Sequence, residues 1–431
     1  MKVLIVLLLL IIAFALSRTV PGKFAPAHVF TLYWCGFIFV TLLCSSFLIL
    51  KLSGIIYILI AVIAFSLGSL AVSRMRLKSD HRIRVVPMSQ TGMRRFLLIL
   101  TGLAFIGPLI SLMKNGFSLS NILNLDDLMD MNHEMAEDRY ASDLNSSPID
   151  RVFSFFIYLA PLCGGTFYHF LKGKKWFSVI SILPGLFTAL TAGAKMGFIT
   201  SVELWLTGFI MGSLFTGTKL KMKRSFVGLA LGAVAFIAVL LLSMMFRIGE
   251  VSVEVFQIVT DKMVIYAIGS VPAFDQWFDT NAFHLSSWSF GAKTFYGISN
   301  AIGLMKREGG VYSDLAVVSV MGGSTNVFTI FRALIEDFGV IGSIMFSFVV
   351  GAFNQLLFNT LRAKRYPLLC GSLLAASYFY ILWSFVISIF AYASYFVVFV
   401  LYFFVIKYAC YRSPRRVNEY SRNQKILQKV W

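Results

Sequence analysis

At 431 residues, the chain is 58% hydrophobic, 16% aromatic and only 13% charged, with a mean hydropathy of +0.80. Such a composition excludes a soluble domain. The net charge of +18 invites a nucleic-acid partner, but the basic residues sit mostly in short loops between apolar runs, and this excludes one.

A bilayer core of about 30 Å takes about 20 apolar residues per helix. Eleven stretches qualify: 1–16, 29–50, 53–72, 96–113, 152–171, 176–193, 196–214, 225–246, 340–360, 367–388 and 391–409. The first lacks a good cleavage site and a second follows closely, so it reads as a span and not as a signal peptide. The pattern predicts an all-α polytopic integral membrane protein, a single membrane domain over 1–431 with about eleven transmembrane helices. Alternating the spans puts the N-terminus outside and the C-terminus inside. Of the 38 basic residues, 26 then fall inside, in the loops around Arg18, Arg74–Arg95, Lys172–Lys175, Lys219–Arg224 and Arg362–Arg365 and in the tail from Lys407. Only Asp80 and Glu419 accompany them. That is the positive-inside rule. The five cysteines lie in or beside spans, with no pair in an external loop, so no structural disulfide is expected.

Two long loops face outward, 114–151 with eight acids and 247–339, between spans 8 and 9, with nine. Function concentrates in loops held by a rigid scaffold. A secondary transporter would instead carry charged or broken spans near the midplane. The spans hold one acid, Glu203, which lies about 12 Å deeper than Lys195 at 1.5 Å per residue. It reads either as a functional group or as a buried structural acid. In the first loop, Asp130, His133, Glu134 and Glu137 have helical spacing; a solvated acidic face explains them better than a metal site. No cofactor or metal is expected. Neither a G-x-S-x-G, an H-E-x-x-H nor a phosphate-binding glycine motif occurs in a supporting context.

Outward-facing cations run against the topological bias. They include Lys195, Arg247, Arg332, Arg139, Lys262, Lys293, Lys306 and Arg307. Singly, each could snorkel to head groups; together around one cavity they suit a lipid diphosphate. The stretch 322–343, GGSTNVFTIFRALIEDFGVIGS, predicts an amphipathic helix over 326–338. Asn326, Thr329, Arg332, Glu336 and Asp337 share one arc, and Gly339 sits at its end. An Arg332–Glu336 pair at i, i+4 on an interfacial helix accounts for part of that arc equally well.

Three segments, DKMVIYAIGSVPAFDQW, SFGAKTFYGI and STNVFTIFRALIEDFGVIG, resemble the bacterial oligosaccharide repeat-unit polymerases, the Wzy-type O-antigen polymerase group. The chain is also similar in span number and in its long loop before the last three spans. The resemblance implies a GT-C-like glycosyltransferase of the bacterial inner membrane, with its site facing the periplasm and its C-terminus in the cytoplasm. It would join undecaprenyl-diphosphate-linked oligosaccharide repeat units into an O-antigen or capsule-like polysaccharide, alongside a chain-length regulator and a flippase. The leaving group would be undecaprenyl diphosphate. Arg247 and Arg332 would then stabilise the departing charge, with Lys195, Arg139 and its neighbour Tyr140, and Lys293 binding substrate. Asp337, Glu336 and His284 compete as the base. Asn326, Thr329 and Tyr296 would meet sugar hydroxyls. An O-antigen ligase-type transferase and a lipid-linked oligosaccharide flippase are the alternatives.

Overall fold

The computed structural model describes residues 1–75, 88–141, 148–192, 195–218, 222–248, 253–284, 288–305 and 312–410. Helices α1 (Lys2–Thr19), α2 (Pro26–Leu43), α3 (Ser53–Ser73) and α4 (Gln90–Lys114) come first. A loop helix α5 (Leu125–Ala141) precedes α6 (Pro148–Tyr168). Short α7 (Trp176–Val179) runs through a 3-10 turn into α8 (Leu183–Thr191), and α9 (Lys195–Thr216) and α10 (Met222–Ile248) follow. The long loop holds α11 (Val253–Ile268), α12 (Ser270–Asn281) and α13 (Tyr296–Ala301). The chain then enters α14 (Thr329–Arg362), α15 (Pro367–Trp383) and α16 (Ala393–Cys410).

Among the described residues, six helices (α1, α2, α3, α4, α9 and α14) are long and apolar enough to cross a membrane, and five shorter apolar helices accompany them. These are the helices of a membrane-embedded, all-α protein. The predicted stretches overrun the helices furthest in two places. Residues 44–50 and 384–388 are apolar but leave the helix. Their backbone groups pair inside the protein, Ile49 N–H with the Val318 carbonyl and the Ser384 carbonyl with Ile330 N–H. Non-helical backbone survives at such depth only when protein covers it. The amphipathic helix likewise starts at Thr329 and not at 326, because Ser324–Thr325 pairs antiparallel with Ala316–Val317 and holds the preceding chain extended.

Small residues let α3 and α14 approach until backbones touch. A Cβ on Gly351 would stand 2.0 Å from the Phe65 carbonyl oxygen, and one on Gly68 1.9 Å from that of Phe348. Ser69 Oγ donates to the Gly351 carbonyl at 2.9 Å. The same device joins α6 and α9, where Gly208 faces the Leu162 carbonyl and Gly165 faces that of Trp205. In lipid, where apolar burial drives little helix association, close packing of this kind does the work. At one end of the bundle the basic loops gather. Asn359 Nδ2 donates to the Val72 carbonyl, Arg94 to the Lys172 carbonyl, and Gly22 lies against Arg362. At the opposite end of α3, Asp275 of the long loop meets the amides of Lys51, Leu52 and Gly54.

Gly351→Leu must therefore push α3 and α14 apart, whereas Gly36, with nothing within 4 Å of its Cβ position, tolerates leucine. Size-exclusion chromatography of the two purified variants checks this: loss of the monodisperse peak is expected for Gly351→Leu alone.

Candidate functional site

Gly339 adopts φ 71°, ψ 174° inside α14, a conformation that other residues resist. It separates the turns Thr329–Phe338 from the long apolar run beyond. Such a break strands the preceding carbonyls. Loop amides take them up: Ser289 N–H donates to the Glu336 carbonyl and Phe290 N–H to the Asp337 carbonyl, each at 3.1 Å. The fully buried Asp337 side chain extends the clamp. Its Oδ1 accepts from Ser289 Oγ at 2.5 Å and from Lys293 N–H at 3.0 Å, and its Oδ2 accepts from Thr294 N–H at 2.6 Å.

This register sets Lys293 opposite Glu336. Glu336 Oε2 accepts from Lys293 Nζ at 2.7 Å and from the Tyr312 hydroxyl at 3.1 Å, while Oε1 accepts from Arg332 Nε at 3.0 Å. Arg332 Nη1 also donates to Asp314 at 2.7 Å. The guanidinium lies over the rings of Tyr312, Phe328 and Trp277, at 3.9, 4.3 and 5.1 Å. Burial works against the Arg332 charge, but Asp314 and Glu336 more than offset it, so the group titrates above its ordinary value. Burial, reinforced by the Glu336 carboxylate, pushes the Tyr312 phenol well above its ordinary range. Tyr312 therefore stays a hydrogen-bond donor.

A cavity reaches this cluster at Tyr312, and another is lined by neighbouring residues of the same segments. One, of about 370 Å³, is lined by Lys195, Lys262, Tyr266 and Gly322–Ser324. Met244 and Ile248 also line it, so the turn of α10 that carries Arg247 borders it. The other, of about 330 Å³, is lined by Tyr312, Asn326, Thr200 and the aromatic rings of Tyr158, Trp383, Tyr392 and Tyr395. Residues 322–327 run from the first cavity to the second, and so does the start of α9. Lys195 stands at the junction, 5.5 Å from the Tyr266 ring centroid.

The structure brings Arg332, Glu336, Asp337 and Lys293 together and sets Asn326 beside them, its Nδ2 donating to the Tyr312 carbonyl. Three of the expected site residues stand in enclosed surroundings. Arg332 is spent on two carboxylates and an aromatic enclosure, so it organises the loop and does not face an open phosphate pocket. Asp337 is a clamp, because its oxygens are already engaged by the loop. Thr329 is fully buried at φ 66°, with its hydroxyl unpartnered among the described residues, so it does not meet an open cavity. His284 is exposed beyond α12, outside the hydrogen bonds and ion pairs of this cluster. Tyr296 is buried at the start of α13. The side chains of Arg139, Tyr140 and Arg247 lie outside those described, as do residues Lys306 and Arg307. In the first loop, exposed His133 and Glu137 sit 3.4 Å apart.

Several residues that build the site escaped the sequence reading. Tyr312 and Asp314 meet Arg332 only through the fold. Asp275 is fully buried and accepts from the amides of Lys51, Leu52 and Gly54 at 2.6–2.7 Å, so it caps α3 from the long loop. Burial pushes its carboxyl up, and those amides pull against it. Its one sequence signal is an acid within the apolar run SVPAFDQW. No protein-family model, curated protein or solved structure matches the chain.

Asp337→Asn preserves shape but turns one acceptor oxygen into a donor facing a backbone amide. An orphaned buried amide costs about 1–3 kcal/mol. A lower thermal midpoint is therefore expected, measured by the fluorescence of a cysteine-reactive dye that reports unfolding, and an unchanged midpoint would remove the clamp.

Proposed function

We propose that the chain is an integral-membrane glycosyltransferase with a GT-C-like bundle of about eleven transmembrane helices. It lengthens a glycan by joining polyprenyl-diphosphate-linked oligosaccharide repeat units, as the Wzy-type resemblance implies. The proposed topology puts the basic loops and the C-terminus in the cytoplasm and the long loop in the periplasm of a bacterial inner membrane. One observation carries the reading: a cavity lined by two lysines and a cavity lined by aromatic rings are lined by successive residues of the same two segments, the start of α9 and residues 322–327. Diphosphate and sugar, the two halves of the substrate at its reacting bond, call for those two chemistries side by side.

Lys195 and Lys262 receive the diphosphate, with Arg247 on the bordering turn of α10. A hydroxyl of the acceptor sugar attacks the anomeric carbon of the donor chain. The new C–O bond forms as the bond to the diphosphate breaks, and the leaving group departs with the electron pair. Charge grows on the diphosphate, so fixed cations there contribute most. The acceptor proton passes to Tyr312, which lines the aromatic cavity and hands its own proton to Glu336. Arg332 and Lys293 hold that carboxylate in place as positioning residues. An apolar cavity of about 520 Å³ between α14, α15 and α16 shares Tyr395 with the aromatic one, and it seats part of the polyprenyl chain.

Reconstituted protein is incubated with a synthetic undecaprenyl-diphosphate repeat unit, without nucleotide. A product ladder spaced by one repeat is expected. Lys195→Ala and Lys262→Ala should each slow it by about 10²-fold, the usual effect of losing one charge-stabilising donor. No ladder from folded protein and correct substrate would remove the polymerase reading, and single transfer to a lipid A-core acceptor would replace it with a ligase. Arg332→Ala should abolish polymer. Because breaking a buried ion pair costs about 3–5 kcal/mol, Tyr312→Phe accompanies it, removing only the hydroxyl. Full-length polymer at normal abundance from both variants would remove this cluster from the site.

A further inference from the structure

The basic end of the bundle holds a cation cluster that the proposed reaction does not use. The start of α4 is fastened there to the turn between α6 and α7. Gln90 Nε2 donates to the Phe170 carbonyl at 2.9 Å, and Gln90 Oε1 accepts from Lys172 N–H at 2.8 Å. Arg94 Nη2 donates to the Lys172 carbonyl at 3.2 Å. These bonds hold the segment of Arg94 and Arg95 against the turn that carries Lys172, Lys174 and Lys175. Gly173 and Lys174 both take left-handed backbone, at φ 65° and 40°, a conformation that lysine seldom adopts. Arg95 and the three lysines are exposed, and Arg94 is half-buried. Among the described residues, none of these cations is ion-paired with an acid.

Apolar surface adjoins the charges. Arg94 lies over the Phe177 ring at 5.9 Å, and that ring stacks at 3.9 Å on Trp176, which is 53% exposed. Leu98 and Ile99 follow the two arginines at i, i+4, one turn deeper on the same faces of α4, and both are exposed. Val179 and Leu183 are exposed along α7 and α8, which pack against α4. A cation that only marks topology needs neither a fixed neighbour nor an aromatic rim. Charge at a rim with bare aliphatic side chains below it matches the phosphate and the acyl chains of an anionic phospholipid, in the order in which a bilayer presents them. A soluble polyanion would meet the charges and leave the aliphatic surface bare.

We propose that the face formed by α4 and α7 binds an anionic phospholipid. Its phosphodiester lies among Arg94, Arg95 and the lysines of the turn, and its acyl chains lie on Leu98, Ile99 and Val179 beside the Trp176 ring. So many cations favour a lipid with two phosphodiesters over one with a single phosphodiester. This binding is independent of the polymerase reading.

Full-length protein in neutral detergent is titrated with cardiolipin, phosphatidylglycerol and phosphatidylethanolamine, and bound lipid is counted by native mass spectrometry. Affinity should fall in that order, with one cardiolipin retained per chain. Arg95→Gln, Lys174→Gln and Lys175→Gln combined should weaken cardiolipin about 10²-fold, because each cation beside anionic head groups counts for about fivefold. Arg362→Gln, Lys364→Gln and Arg365→Gln combined remove the same charge from another exposed basic loop and should leave the affinity unchanged. Trp176→Ser keeps every charge and should weaken binding several-fold. Equal losses in the two triple variants would reduce the site to the general attraction of a basic surface and overturn it. Undiminished binding in the first triple variant, or no preference for cardiolipin over phosphatidylethanolamine, would overturn it as well.

Discussion

The Asp337 carboxylate, meeting the amides of Lys293 and Thr294 just above the break at Gly339, is the contact on which the site depends. A break in a helix leaves carbonyls that water cannot reach in a buried setting, and these must be paired. The loop residues 289–294 supply the donors, main chain to main chain and main chain to carboxylate. Once this register is fixed, Lys293 can reach Glu336, and Glu336 can gather Arg332 and Tyr312. Trp288 packs at Gly339, where a Cβ would lie 3.1 Å from its ring, so the break and the loop accommodate each other.

The long loop is fastened at a second place. Asp275 receives the amides that open α3, and residues 316–325 exchange backbone hydrogen bonds with Phe47 and Ile49. Those residues form the turn between α2 and α3. One end of the loop is therefore tied to α14 and its middle to the start of α3, while α3 and α14 are themselves in backbone contact. A rigid helix pair carries both anchors. Side chains set by two anchors on one scaffold can hold sub-ångström geometry that a free loop could not.

The apolar helices were legible in the sequence because hydrophobic length speaks for itself. Boundaries were not. Asn326–Phe328 continues the amphipathic spacing of α14, but spacing reports which face is apolar and not which amide is bonded. The Gly322–Gly323 pair was the available sign of a turn there, and it does join two short strands. The ion pair of Arg332 with Glu336 was readable at i, i+4; its other partner, Asp314, lies 18 residues upstream and depends on the loop's path. Trp383 carried no signal at all, since a tryptophan at a span end is ordinary in membrane proteins. What the sequence hid are contacts made only when distant segments meet.

The charge cluster is not needed for packing alone. A buried network of Arg332, Glu336, Lys293 and Asp314 is weak evidence for stability, because well-packed apolar side chains would serve as well or better. It fastens the loop at Lys293 and Asp314, beside the backbone amides that Asp337 already holds. The remaining asset of such a network is a carboxylate held under cations, with a phenol between it and an open cavity. Tyr312 is the only member of the hydrogen-bonded chain from Arg332 to Lys293 through Glu336 that lines the aromatic cavity among the described residues. Its hydroxyl thus joins that cavity to Glu336, whose other contacts are Arg332 and Lys293.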